Sequence, residues 1–93
     1  MGLFHVQGQK QAKRGYAIQI ASLNQRVNLV RKQAELNNIG VKNILVNYDK
    51  RKDGNILCKV FIGPFATALD AANCQKSLKK RNVIGFIVDL TTF

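Results

Sequence analysis

The chain has 93 residues, 46% of them hydrophobic, which is enough for one small domain and too few for two. Fifteen Lys and Arg against five Asp and Glu give a formal net charge of +10, a balance that favours polyanionic partners such as nucleic acid, anionic lipid or acidic polysaccharide. No apolar run approaches the ~18 residues of a membrane span. The N-terminus also lacks the apolar stretch of a signal peptide, so the expectation is a chain soluble as given, which leaves open that it was cut from a longer exported or membrane-anchored parent.

Residues 1–14 are mostly polar and aperiodic, and are expected to be a flexible linker, although Leu3-Phe4-His5-Val6 has the make-up of a short edge strand. The folded domain is expected over residues 15–93. Tyr16 to Ser22 alternates as a strand, with Tyr16, Ile18 and Ile20 on one face and Gln19 between the small Ala17 and Ala21 on the other. Ser22 or Asn24 can cap a helix that runs to about Asn38 and stops at Gly40. Leu29 and Leu36 form one stripe on it. Val27, Val30 and Ala34 form another, suited to a neighbouring helix or a weak homodimer.

Asn43 to Tyr48 is a second strand, expected at a sheet edge, and Asp49 to Gly54 is a charged turn with the Asp-Gly ending of a hairpin. The third strand runs from Asn55 to Ile62 and is expected to stop at Gly63-Pro64, the site of the only proline. Alternation sends Cys58, Val60 and Ile62 to one side and Leu57, Lys59 and Phe61 to the other. A second helix from about Thr67 to Arg81 has Ala71, Cys74 and Leu78 as its buried stripe. Lys76, Lys79, Lys80 and Arg81 gather near its C-terminal end, where cations complement the helix dipole. Gly85 to Leu90 is the last strand.

The order strand, helix, strand, strand, helix, strand defines an α+β domain of ferredoxin-like βαββαβ type: a four-stranded antiparallel sheet with both helices on one face. The first and third strands are then central. Gln19, Lys59 and Phe61 become neighbours on the uncovered face, and Phe86 joins them if its register allows.

Chemistry of the catalytic kind is poorly represented. The single histidine, His5, lies near the N-terminus, and the five acids are scattered. No phosphate-cradling loop, zinc motif or nucleophile elbow is present, so neither an enzyme nor a cofactor is expected. Cys58 and Cys74 each fall on an apolar stripe, the pattern of buried free thiols, and lack metal-ligand spacing. Aromatic, amide and cationic side chains on an open sheet instead point to binding.

Tyr16-Ala17-Ile18-Gln19-Ile20-Ala21-Ser22-Leu23 and Lys59-Val60-Phe61-Ile62-Gly63-Pro64-Phe65-Ala66-Thr67 resemble the two signature strands of the SPOR domain, a bacterial cell-envelope module. Asn28-Leu29, Leu36, Gly40, Ala71 and Leu78 match its helices, so the resemblance covers about residues 15 to 90. It departs at Ala21, where the family has glycine, and at Lys32, a usually apolar helix position. The resemblance implies a non-catalytic domain that binds peptidoglycan, in particular glycan strands stripped of stem peptides at the division septum. It also implies that the ligand lies across the sheet, on Gln19, Ser22, Leu57, Lys59, Phe61 and Phe86. Removing a stem peptide leaves a carboxylate on each muramic-acid residue, so the bare glycan is a polyanion that suits the basic chain. An RNA-binding domain shares the strand order, open sheet and basic surface, but its central strands carry more aromatic residues.

Overall fold

The computed structural model describes residues 3–5, 11, 12, 14–23, 26–41 and 43–92, with the backbone alone at 26–28. Its elements are β1 (Leu3–His5), β2 (Tyr16–Leu23), α1 (Arg26–Asn38), β3 (Ile44–Lys50), β4 (Ile56–Phe65), α2 (Ala68–Lys80), β5 (Phe86–Asp89) and a final 3-10 turn (Leu90–Thr92). All strand pairs are antiparallel and form one sheet in the order β1-β3-β4-β2-β5. The α+β expectation and the two central strands stand. The strand count does not: the described residues form five strands.

The extra strand is β1, in the segment expected to be a linker. Leu3 pairs with Asn47 and His5 with Leu45, so β3 is an interior strand rather than an edge. A three-residue strand holds because Leu3 is fully buried and because Gln11 returns to it. The Gln11 N–H donates to the Leu3 carbonyl at 2.8 Å, and the Gln11 side-chain oxygen lies 2.7 Å from His5 Nε2.

The helix-side core follows the predicted alternation. Ile18, Ile44, Val46, Cys58, Val60 and Ile62 from the sheet pack with Leu29 and Leu36 of α1 and Leu78 of α2. Thr67 caps α2, its hydroxyl accepting from the Asp70 N–H at 3.1 Å, an interaction worth about 1 kcal/mol. Arg81 donates to the Ile39 carbonyl and ties the end of α2 to the turn after α1. Val30 and Ala34 of the proposed dimer stripe are exposed, while the side chain of Val27 lies outside the described residues.

Several expected boundaries move: β3 runs on to Lys50, into the segment expected to be a turn, and β5 stops at Asp89, leaving Leu90 to the 3-10 turn. Strand β2 continues to Leu23, which puts Ser22 inside the sheet rather than at a helix cap; Asn24, the other candidate cap, lies outside the described residues. Strand β4 continues past Gly63-Pro64 to Phe65, because two residues bulge there instead of ending it. Gly63 has φ 152°, and a Cβ on it would stand 3.2 Å from the Cβ of Ala17, so only glycine sits easily at this crossing.

Candidate functional site: the open end of the second sheet face

Gln19 pairs with Phe61, and the next registered pair is Ala21 with Val60, so β2 carries one extra residue between them. This β-bulge reverses the alternation. Ala21 turns to the helix side with Ile20, where both pack against the main core, and Ser22 comes round to the face that Gln19 already occupies. In an unbroken strand, residues three apart face opposite ways. The expectation that Ala21 flanks Gln19 is therefore corrected, and Gln19 and Ser22 share a surface that simple alternation denies them.

The same face carries the other candidates. Lys59 is registered against Ser22 and Asn47, and Leu57 against Asp49. Phe86 pairs with Gln19, which fixes its orientation onto this face, and it is 57% exposed. Lys59 Nζ lies 3.7 Å from Asp49 Oδ2 in a pair exposed enough (36% and 49%) to be worth 1 kcal/mol or less, about the value of an ordinary surface ion pair. An anion arriving at Lys59 therefore has a weakly held competitor to displace. Among the described residues, neither the Gln19 amide nor the Ser22 hydroxyl has a hydrogen-bond partner.

Strand β5 begins only at Phe86, leaving the outer edge of β2 beyond Gln19 without a strand beside it. A cleft of about 360 Å³ opens there, lined by Gln19, Ile20, Ala21, Ser22, Ile84, Gly85 and Phe86. Gly85 makes the close approach possible. A Cβ on it would fall 2.6 Å from Ile18 Cγ2 and 2.8 Å from the Gln19 carbonyl oxygen. Its own carbonyl accepts from the Gln75 side chain of α2 at 2.8 Å, which holds the start of β5 in place.

Phe61 is where the expected site is corrected most. It lies on the predicted face but is fully buried, in a second core with Leu3, Ala17, Leu45 and Leu90, against which Val88 packs. The 3-10 turn after β5 carries Leu90 onto this face, and its N–H donates to the Gly15 carbonyl at 2.9 Å. Of the six expected contact residues, Gln19, Ser22, Leu57, Lys59 and Phe86 are at least partly exposed. Phe61 supports them from within and offers no ring to a ligand.

The site can exchange hydrogen bonds, present an aromatic ring and supply one cation. Among the described residues no cluster of three potential metal ligands occurs. Cys58 and Cys74 are free thiols, and burial raises the pKa of both, which leaves them weak nucleophiles. No helix among the described residues is long and apolar enough to cross a membrane.

The SPOR domain model matches residues 12–89. The chain belongs to the SPOR domain family. Members of this family are peptidoglycan-binding modules of bacterial cell-envelope and division proteins. No curated protein and no solved structure matches the chain. The match contains every candidate contact but stops short of β1 and the 3-10 turn, the two segments that bring Leu3 and Leu90 to the second core. Ile84, which is 68% exposed beside Phe86, is the cleft residue that sequence reasoning missed. Its signal was the Ile-Gly-Phe run, an apolar pair spaced by the one residue that cannot itself project a side chain.

Proposed function

We propose that this SPOR domain binds glycan strands lacking stem peptides at the open end of the sheet, and so brings a larger exported or membrane-anchored protein to sites of wall remodelling at the septum. The bulge in β2 carries this reading, because it sets Gln19 and Ser22 side by side next to the exposed ring of Phe86. An amide and a hydroxyl without partners among the described residues suit sugar hydroxyl and N-acetyl groups, and the Phe86 ring suits the apolar C–H face of a pyranose. The net charge of +10 suits the row of carboxylates that stem-peptide removal exposes.

Co-sedimentation with purified sacculi, before and after amidase digestion, tests this. Binding should rise as stem peptides are removed, and Gln19→Ala combined with Phe86→Ala should weaken it about tenfold or more. Equal binding to intact and digested sacculi would reject the preference for bare glycan. The RNA reading loses its central aromatic platform with the burial of Phe61. Single-stranded RNA run in parallel should leave the protein unbound at physiological salt.

A further inference from the structure

A second cleft, of about 330 Å³, lies on the other side of the Val83–Gly85 connection and is lined by Gln75, Lys76, Lys79, Val83, Ile84 and Gly85. It shares Ile84 and Gly85 with the sheet-side cleft, so the two are separated only by this thin crest of chain. Ile84 on this crest and Phe86 just beyond it, at the start of β5, are apolar and exposed.

Lys76 and Lys79 stand three residues apart on one face of α2, and among the described residues neither has a carboxylate partner. The repulsion between them is relieved by an anion placed between them. Arg81, by contrast, is engaged with the Ile39 carbonyl. The helix dipole accounts for cations in the last turn of α2, at Lys79 and Lys80, but Lys76 lies a turn earlier and opens on the cleft.

We propose that this cleft is a second subsite for the same glycan, and this inference rests on the function proposed above. The strand leaves Gln19 and Ser22, crosses the Ile84–Phe86 crest with sugar faces against the two side chains, and sets a muramic-acid carboxylate between Lys76 and Lys79. The charge is complementary and the path continuous. A strand that reaches both clefts gains by effective concentration over one that fills only the first.

The experiment measures affinity for defined amidase-stripped glycan fragments, short and long, by titration of the full chain at fixed salt. Lys76→Gln with Lys79→Gln should lower affinity for the long fragment about tenfold and leave the shortest fragment unaffected. A charge-matched control, Lys50→Gln with Lys52→Gln in the exposed β3–β4 hairpin, should change the long fragment less than about threefold, the loss expected from general screening of net charge. Amidating the carboxylates of the long fragment should abolish its advantage in the wild type. The subsite is overturned if the Lys76/Lys79 variant matches either the wild type or the hairpin control on the long fragment. If Gln19→Ala weakens both fragments in that case, the sheet-face reading survives alone. If Gln19→Ala and Phe86→Ala weaken neither fragment, the sheet-face reading falls, and the subsite as an extension of it falls too.

Discussion

The two ends of the second sheet face are built from the same strands and have opposite fates. At one end Phe61, Leu45 and Ala17 meet Leu3 and Leu90 and form a dry core; at the other, further along β2 and β4, Lys59, Ser22 and Leu57 remain within reach of solvent. The difference comes from short segments outside the family match, β1 and the terminal 3-10 turn, each of which contributes one leucine. Which face a side chain takes is a property of its strand and any bulge in it. Whether that face is a site or a core is decided by what the ends of the chain lay across it.

The sealed end should break hardest. Phe61 is the largest fully buried side chain, and Phe61→Ala should cost about 3–5 kcal/mol, a large share of the 5–15 kcal/mol that small domains possess. Chemical denaturation reads this directly. Phe61→Leu should keep the fold and the glycan affinity together. A folded Phe61→Leu protein that had lost binding would mean that the ring touches ligand after all. Next in size is Gly85→Val, whose new side chain collides with Ile18, Ile20 and the Gln19 carbonyl and should cost about 1–3 kcal/mol by overpacking. Because Gly85 shapes the cleft, binding should fall in the same variant even below its melting temperature.

Much of this division was legible in the sequence and part of it was not. Alternation from Leu57 to Ile62 sorted both faces of β4 correctly, and the stripe of Leu29 and Leu36 identified the buried side of α1. The bulge at Ile20-Ala21 was hidden because both residues are apolar enough for either face, so nothing in their identity marks the reversal that brings Ser22 beside Gln19. The burial of Phe61 was hidden for another reason. A strand's pattern records its polarity and carries no trace of Leu3 or Leu90, which are distant in sequence and too few to form a pattern of their own. Even the register of Phe86 depended on where β5 begins, which Gly85 sets by close approach rather than by turn chemistry.

At the open end, substitutions should separate binding from stability. Phe86→Ala and Gln19→Ala remove exposed or half-exposed groups and should each shift stability by about 1 kcal/mol or less, within the usual range for such surfaces. Glycan affinity should drop several-fold in each. A thermal melt beside a binding titration checks both, and a melt that shifts as far as that of Phe61→Ala would show that the open end is structural.

The smallest effect lies in the fastening of the sealed end and should depend on pH. Asp89 Oδ1 accepts from the Thr91 hydroxyl at 2.6 Å and the Thr91 N–H at 2.9 Å, and these two bonds hold the carboxyl below its usual pKa. A carboxylate whose pKa is lowered in the folded state adds stability that is fully present above its unfolded value, about 3.9, and is lost as pH falls through the lower folded value. Asp89→Asn keeps an acceptor oxygen but cannot titrate. The wild type should therefore melt slightly higher than Asp89→Asn at neutral pH, and the gap should close progressively below about pH 4. Hydrogen exchange at the Leu90 N–H, which donates to Gly15, locates the effect at the C-terminal turn. A gap that stays constant into the acid range would show that Asp89 shapes the turn through geometry alone, without help from its charge.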